Sequence, residues 1–276
     1  MKIDSHHHLW NYSAEEYGWI DDQMTLLKRD FLPSHLTPHV ESIGFDGTIA
    51  VQARQSIEET EWLLGLAEKS ELIKGVVGWV PLCSNSVDDH LKRFSKSPKL
   101  VGVRHVLQDE PDDRFMMRPD FLNGIRCLSQ YDLAYDILIF PKQLDAASEL
   151  VSMFPKQRFI LDHIAKPPIK EGVISEWKVG LERLAQYPNV YCKLSGMVTE
   201  ADRTNWKPAH LTPYLDVVFK AFGTKRLMIG SDWPVCTVVA EYQLVMETVL
   251  AYISALSDED QAAITGGNAV RVYKLG

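Results

Sequence analysis

The sequence predicts an α/β fold, a (β/α)₈ TIM barrel formed by residues 1–276 as a single domain. Eight short apolar runs rich in β-branched residues recur along the chain, and longer amphipathic segments separate them. This alternation of strand and helix signals is typical of a parallel barrel. The length of 276 residues lies within the range of one such barrel, and no internal repeat or domain boundary is evident.

The predicted strands are short enough to be buried strands of a barrel, and their number is the number that the barrel needs. Their carboxyl ends are expected to meet at one rim. The eight runs are Lys2–His6, Gly47–Ala53, Lys74–Val80, Leu100–His105, Ala134–Ile139, Arg158–His163, Val190–Ser195 and Arg226–Ser231.

Helix signals fill the gaps between the strands. Ser56–Glu59 is a capping-box pattern that begins an apolar-striped helix. A second helix over Pro141–Phe154 begins at a proline and is ended by Pro155, and Ser257 caps a last helix. The other predicted helices lie near Val87–Phe94, Pro119–Ser129, Glu176–Gln186, Leu211–Phe222 and Ala240–Ala255.

A long loop after the first strand interrupts the alternation. This span, Leu9–Phe45, has a helical pattern only after Pro33. A loop of that length in a compact domain is usually functional or disordered, and its aromatic content favours a folded lid. Its aromatic residues include Trp10, Tyr12, Tyr17 and Trp19.

Charge and composition restrict the class of partner. The net charge is −8 and there is no run of Lys or Arg, which argues against a nucleic-acid or anionic-membrane partner. The four cysteines have no CxxC spacing and are expected to be reduced core residues. No signal region precedes the first strand, and no apolar run approaches the roughly 20 residues of a membrane helix. We therefore expect a cytoplasmic protein with a small-molecule partner, and the sequence leaves a homo-oligomer open.

Polar side chains collect where the predicted strands end, which is the rim that carries the active site in such barrels. His6 and His8 share one face because side chains alternate along a strand. Acid, base and guanidinium groups are costly to bury, so their recurrence indicates a functional site. The alternative is a rim of mutually satisfied charges. The other polar residues at or near the ends of the predicted strands are Gln52, Arg54, Arg104, His105, Asp136, Asp162, His163, Lys193, Ser195, Ser231 and Asp232.

Seven short motifs occur in order over nearly the whole chain. They are Asp4–Trp10, Val51-Gln52, Gly102–His105, Leu161–His163 with Lys166-Pro167, Lys193–Gly196, Gly230–Val235 and Gly267–Ala269. Together they resemble the amidohydrolase superfamily, and more narrowly its branch of sugar-acid lactonases and pyrone-dicarboxylate lactonases. The HxH pair alone is a weak signal. In register with a histidine after the sixth strand and an aspartate after the eighth, it is a strong one.

The resemblance implies catalytic roles for four residues. Asp232 becomes the general base that activates water, and His6, His8 and His163 face the substrate carbonyl oxygen or ligate a metal. These residue types suit lactone hydrolysis, which needs a base near the attacking water and positive character where the oxyanion develops.

The resemblance also bears on metal content. Superfamily members with two metals usually have a lysine after strand four and a histidine after strand five, where this chain has Arg104 and Asp136, so a two-metal site is not expected. The candidate ligands of a single zinc ion are His6, His8, His163 and Asp232. The branch also implies members that work without metal, so the need for zinc stays open. No organic cofactor is expected.

Several further residues are candidates for contact with the substrate. The guanidinium of Arg104 suits a carboxylate or paired hydroxyls, although a structural salt bridge is an equal alternative. Lysine at a strand end can bind substrate or neutralise Asp136 or Asp162, and Asp4 can orient an imidazole or fill the barrel floor. The candidates are Arg104, His105, Trp10, Lys166, Lys193 and Trp233, and Trp19 and Trp79 also suit stacking on a sugar ring although aromatic residues are more often core.

Two activities remain open. The first is a hydrolase of carbohydrate catabolism that opens the lactone ring of a small sugar acid, such as L-fucono- or L-rhamnonolactone. The second is a zinc-dependent decarboxylase of a muconate-type or aromatic acid, because a related branch has the same arrangement of three histidines and an aspartate. A non-catalytic binding protein is a weaker third hypothesis. The sequence identifies neither the sugar nor the ring size.

Overall fold

Eight parallel strands form one sheet in a computed structural model that describes residues 1–276, and their order in the sheet is their order in the chain. Every strand lies where the sequence predicts it, which confirms the (β/α)₈ barrel. The strands are β1 (Ile3–His7), β2 (Gly47–Val51), β3 (Ile73–Gly78), β4 (Leu100–Val106), β5 (Ala134–Leu138), β6 (Phe159–Leu161), β7 (Val190–Leu194) and β8 (Leu227–Ile229).

The helices alternate with the strands as predicted. Ser56 caps α2, because its hydroxyl oxygen accepts a hydrogen bond from the Glu59 N–H at 3.0 Å. None of the helices combines the length and apolarity that crossing a membrane would require. The helices are α1 (Pro33–Ser42), α2 (Ile57–Lys69), α3 (Val87–Phe94), α4 (Pro119–Leu128), α5 (Leu144–Met153), α6 (Ser175–Leu184), α7 (Pro208–Phe222), α8 (Tyr242–Ile253), α9 (Asp258–Ala262) and α10 (Asn268–Tyr273).

The bounds of several helices differ from the prediction by a few residues; α7, for example, begins at Pro208 rather than at Leu211. Pro141–Gln143 forms a short 3₁₀ turn, so α5 begins three residues later than expected. The last predicted helix is divided, because Ala263–Gly267 forms a π-helical turn between α9 and α10. Such turns interrupt the regular hydrogen-bond ladder over a few residues, and neither changes the order of the elements.

The C-terminal segment fills the interior of the barrel at the end opposite the predicted active site. A cluster of 12 buried residues joins side chains of seven strands to α10 and Leu275. Ala134 and Ile160 belong to it, each two residues before an acidic residue of the site, so they share the inward face with Asp136 and Asp162. Packed apolar residues therefore occupy the floor, and polar side chains lie above them.

The barrel closes between β1 and the segment that follows β8. The Asp232 N–H donates to the His6 carbonyl oxygen at 2.8 Å, and the His8 N–H donates to the Trp233 carbonyl oxygen at 2.6 Å. These two bonds extend the parallel pairing beyond the end of β8. Closure of the barrel thus brings Asp232 beside the two histidines of β1.

Asp4 stabilises this closure. Its carboxylate accepts hydrogen bonds from the Ser231 N–H at 2.9 Å and the Ser231 hydroxyl at 2.7 Å. It also accepts one from the main-chain N–H of His6 at 3.2 Å. Asp4 therefore fixes the backbone on both sides of the seam, and its hydrogen-bond partners include no imidazole.

The loop after β1 is a folded lid, as its aromatic content predicts. We use "lid" for Leu9–Leu32, which precedes α1. Trp10 and Phe31 close it through two backbone hydrogen bonds of 3.0 and 2.8 Å. The Trp10 indole N–H donates to the Arg29 carbonyl oxygen at 2.9 Å. A short 3₁₀ helix, Asp22–Leu27, is the regular structure within the lid.

Candidate active site

A cavity of about 670 Å³ opens at the carboxyl ends of the strands, with the lid forming one wall. Barrel enzymes place their active sites at this end. The sequence-predicted residues that line the cavity are His8, Trp19, Arg54, Arg104, His163, Lys166 and Asp232. Other lining residues come from the lid, the β2 loop and the β7 loop, among them Glu16, Gln55, Glu200 and Arg203.

Asp232 and three imidazoles converge at the base of the cavity. The Nε2 atoms of His6 and His8 are 3.2 Å apart. Asp232 Oδ1 lies 3.4 Å from His8 Nε2, 3.8 Å from His6 Nε2 and 3.9 Å from His163 Nε2. The structure thus brings together the four residues to which the sequence assigns catalysis, from the ends of β1, β6 and β8.

The Nδ1 atom of each imidazole has a neighbouring polar group that fixes the orientation of the ring. His8 Nδ1 lies 2.8 Å from the Val51 carbonyl oxygen, which only accepts, so Nδ1 carries the proton and Nε2 presents a lone pair. His163 Nδ1 lies 2.9 Å from the Ser195 hydroxyl. His6 Nδ1 lies 3.2 Å from Lys193 Nζ and 3.4 Å from Asp162 Oδ1. Held in this way, the three rings direct their Nε2 atoms toward Asp232.

The backbone at two strand ends is left-handed. Residues His163–Lys166 have φ values between 47° and 61°, and Asp232 has φ 59°. Non-glycine residues rarely adopt this region, and each costs about 1–3 kcal/mol. The Trp177 indole N–H helps hold the turn by donating to the Ile164 carbonyl oxygen at 2.8 Å. The strained turn directs His163 and Lys166 into one cavity, and nothing in the local sequence indicates it because it contains no glycine.

A buried charge network lies beneath His6. Lys193 Nζ is 2.5 Å from Asp136 Oδ2 and 3.0 Å from Asp162 Oδ1, and it is fully buried. Arg104 Nη1 is 3.0 Å from the other oxygen of Asp162. The Tyr273 hydroxyl, from α10, donates to Asp136 at 2.7 Å. Lys193 is not among the residues that line the cavity; it neutralises both carboxylates, which was the structural alternative for this residue.

Burial and charge set the protonation of the site. Burial lowers the pKa of His6 well below its ordinary value and that of His163 to about 4. Burial also raises the pKa of Asp232, but His163, His8 and Lys166 together outweigh it and hold that pKa below its ordinary value. At neutral pH an ionised carboxylate therefore faces the neutral imidazoles of His6 and His163, and an ionised carboxylate is the state that a general base requires.

Besides Lys193, the residues predicted to contact substrate that lie away from the cavity lining are His105, Trp10 and Trp233, and Trp79 also lies outside it. His105 faces away from Arg104, as strand alternation predicts, and its Nε2 lies 2.6 Å from Glu110 Oε1. Trp10 is buried under the lid, and Trp233 packs against Phe31 with ring centroids 5.1 Å apart. Trp79 donates its indole N–H toward His105 at 3.4 Å. These aromatic side chains support the walls of the site.

The comparisons with known proteins cover the whole chain. A sequence profile of the amidohydrolase family matches residues 3–275. The chain belongs to the amidohydrolase family. An L-fucono-1,5-lactonase of Burkholderia multivorans is 40% identical over 286 residues, which cover 100% of this chain and 96% of that protein. An L-fucono-1,5-lactonase of Burkholderia ambifaria is 34% identical, with 100% and 96% covered.

A solved structure shows the same fold in a close relative. An amidohydrolase of Burkholderia multivorans, crystallised with bound zinc, superposes with a TM-score of 0.97 at 39% identity, and the match covers 100% of both chains. The resemblance inferred from the motifs is thereby confirmed at the level of the family.

The donor atoms of this amidohydrolase fit one metal ion. Zn–N and Zn–O bonds of about 2.0–2.1 Å in a tetrahedron place the ligand atoms about 3.3 Å apart. His6 Nε2, His8 Nε2 and Asp232 Oδ1 form such a group, at 3.2, 3.4 and 3.8 Å from one another. His163 also belongs to a possible group with His6 and Asp162, but Asp162 is engaged by Arg104 and Lys193.

Several residues of the cavity were not predicted, and two of them are charged residues of the loop after β7. Glu200 and Arg203 follow β7 and line the cavity. Burial raises the pKa of the Glu200 carboxyl, although Lys166 opposes the effect. Both lie in a loop beyond the last predicted strand residue, Ser195, and loop residues have no periodicity that assigns their direction. The structure alone identifies them.

Gly196 gives a first test of how tightly His163 is held. Gly196 has φ +61°, and a Cβ there would lie far inside van der Waals contact with the His163 ring. Gly196→Ala should therefore destabilise the fold by about 1–3 kcal/mol and reduce turnover strongly by displacing the imidazole from Ser195. Thermal unfolding and steady-state rates check this. Gly172→Ala, also at positive φ but with open space around it, is the control for backbone strain alone.

Proposed function

We propose that this amidohydrolase is a lactonase that opens the ring of a neutral sugar-acid lactone of the L-fucono-1,5-lactone type. The observation that carries the proposal is the convergence of Asp232 with three imidazole Nε2 atoms at the base of the cavity. The two full-length Burkholderia relatives named L-fucono-1,5-lactonase support the substrate class. Lactone opening is a carboxylic ester hydrolysis.

Asp232 is the base in the proposed reaction. Its ionised carboxylate accepts a proton from water, and the water oxygen forms a bond to the lactone carbonyl carbon. The bond between that carbon and the ring oxygen then breaks. The proton held by Asp232 passes to the leaving alkoxide, so that the product is an open hydroxy acid and the carboxylate is regenerated.

His6, His8, His163 and Asp232 form the proposed ligand set for a zinc ion. When bound, zinc supplies a Lewis acid that polarises the carbonyl oxygen. The neutral state of His6 and His163 suits ligation. His8 has its Nδ1 hydrogen bonded to Val51, which leaves Nε2 as the donor atom.

The charges of the cavity favour a neutral polyol over a dicarboxylate. Arg54 is paired with Glu16 at 2.7 Å and Arg104 with Asp162 at 3.0 Å. A dianion would have to compete with these internal partners for cationic groups. The lining contains four cationic and four anionic side chains, namely Arg54, Arg104, Lys166 and Arg203 against Glu16, Asp109, Glu200 and Asp232.

A hydrolysis panel tests the proposal. Metal-stripped and zinc-loaded protein are assayed with a pH indicator on L-fucono-1,5-lactone, other aldonolactones and a pyrone dicarboxylate. We expect turnover of a few sugar lactones and little of the dicarboxylate. Release of CO₂ from an aromatic acid, with no lactone hydrolysed, would favour the decarboxylase alternative. The two relatives named L-fucono-1,5-lactonase argue against that alternative.

Zinc binding is tested separately by titration of the stripped protein. We expect one zinc ion per chain by calorimetry, and a marked loss of binding when His8 is replaced by Ala, because His8 is one of the three convergent donors. The control is His90→Ala, on α3 and outside both groups of possible ligands. Equal zinc binding by the His8 variant and the wild type would contradict this ligand set.

A further inference from the structure

A tryptophan of the lid faces the cavity. Trp19 lines the cavity and is 38% exposed, one of few large apolar side chains with that much solvent contact. Exposed indole gains free energy when a ligand covers it. Its place at the mouth of the active site therefore indicates that the substrate, rather than the protein core, is its partner.

Packing within the lid fixes the orientation of Trp19. Its ring lies 5.7 Å from that of Trp10, at an interplanar angle of 90°. Such an edge-to-face contact covers at most one face of the Trp19 ring. Trp10 is itself immobilised, since it is fully buried and its indole N–H is bonded to Arg29. The Trp19 ring is therefore held in position before substrate binds.

The lid turn that carries Trp19, Glu16–Trp19, is attached to the loop after β2. Glu16 is paired with Arg54 at 2.7 Å, and the Arg54 guanidinium lies 5.6 Å from the Tyr17 ring centroid. The Tyr17 hydroxyl donates to buried Glu59 at 3.3 Å. Glu59 also accepts the Arg54 N–H at 3.0 Å. These contacts hold the turn at a set height above the barrel.

The two ends of the cavity differ in chemistry. The base presents Asp232 and imidazoles, while the lid presents the Trp19 ring next to the Glu16–Arg54 ion pair. A sugar lactone has the matching arrangement: an ester carbonyl, an apolar face of C–H groups and a rim of hydroxyls. C–H groups pack on the electron-rich face of an aromatic ring, and hydroxyls bond to charged partners.

We propose that Trp19 is the stacking platform for the C–H face of the lactone ring, and that the adjacent Glu16–Arg54 pair binds ring hydroxyls. The lid turn then determines which sugar lactones are accepted, while the strand ends perform the hydrolysis. The inference rests on the proposed lactonase function and adds a specificity-determining residue to it.

Kinetics of Trp19 variants test this inference. Trp19→Ala should raise KM for the best aldonolactone of the panel about tenfold, with a much smaller change in kcat, because stacking acts on ground state and transition state alike. Trp19→Phe keeps an aromatic face and should lie close to the wild type. The control is Leu26→Ala, in the same lid and 65% exposed, but outside the cavity lining. An unchanged KM in Trp19→Ala would overturn the inference.

A fluorescence titration provides a readout that does not depend on turnover. The probe is a 1,5-anhydro sugar of the same configuration, which has the ring and its hydroxyls but no ester. We expect it to quench tryptophan fluorescence in the wild type and in Trp206→Phe, whose residue lies outside the cavity lining, but not in Trp19→Phe. Undiminished quenching in Trp19→Phe would overturn the inference. A wild type that hydrolyses no lactone would overturn the proposed function instead, and the titration would still decide the role of Trp19.

Discussion

Replacing Asp232 with Asn is expected to lower kcat by about 10²–10⁴-fold, the range that a positioned general base contributes. The amide would keep the shape of the side chain but could not accept the proton of water. His163, His8 and Lys166 hold the pKa of Asp232 below its ordinary value, so the wild-type carboxylate is ionised throughout the neutral range. Steady-state hydrolysis of the best aldonolactone measures the loss.

The control for this variant is Asp89→Asn, which makes the same chemical change on the exposed surface of α3. It should have wild-type kinetics. Because Asn is isosteric with Asp and the Asp232 N–H bond to His6 is a main-chain bond, both variants are expected to keep the fold, which circular dichroism verifies. Wild-type kcat in Asp232→Asn would show that another group activates the water.

The alternation of side chains along a strand explains how much of the site was predictable. His6 and His8 share a face, and Arg104 and His105 face opposite ways, as a period of two requires. Applied to each of the eight strands, the same rule predicts which side chains point into the barrel. Because parallel strands end at one rim, the inward side chains near the strand ends lie close together. Residue type and position along a strand therefore carry this information in the sequence.

Depth within the barrel and the path of the loops are not encoded by periodicity. Arg104 lines the cavity whereas inward-facing Lys193 lies below it, buried with two carboxylates, and nothing local in the sequence distinguishes the two heights. Trp10 and Trp19 occur in the same lid, yet only Trp19 lines the cavity. That difference depends on how the lid folds, which is determined by contacts distant in sequence such as Glu16 with Arg54.

Lys193→Met is expected to reduce the free energy of unfolding by about 3–5 kcal/mol, the cost of leaving a buried charge without its partner. Lys193 and Asp136 are both fully buried, with Nζ and Oδ2 2.5 Å apart. Chemical denaturation measures the loss. Lys178→Met removes an exposed lysine that pairs with Glu182 at 4.0 Å on α6, and it should have little effect because exposed ion pairs contribute little.

The pH dependence of Lys193→Met separates lost charge pairing from lost packing. Burial already raises the pKa of Asp136 to about 6, even though Lys193 opposes the effect. Removing the ammonium should raise that pKa further. The folded state then binds a proton that the unfolded state, with an ordinary carboxyl pKa near 4, does not bind. The stability of the variant should therefore increase as the pH is lowered from 8 to about 6.

Adding a substitution of Asp136 to Lys193→Met makes this test sharper. Lys193→Met with Asp136→Asn removes both members of the pair, while Arg104 still neutralises Asp162 at 3.0 Å. No uncompensated charge remains at Asp136, so the double variant should be more stable at pH 8 than Lys193→Met alone, and its dependence on pH should be weaker. If the changes in the free energy of unfolding caused by the two substitutions simply added, the result would contradict this account. It would mean that Lys193 stabilises the fold by packing and that its charge contributes little.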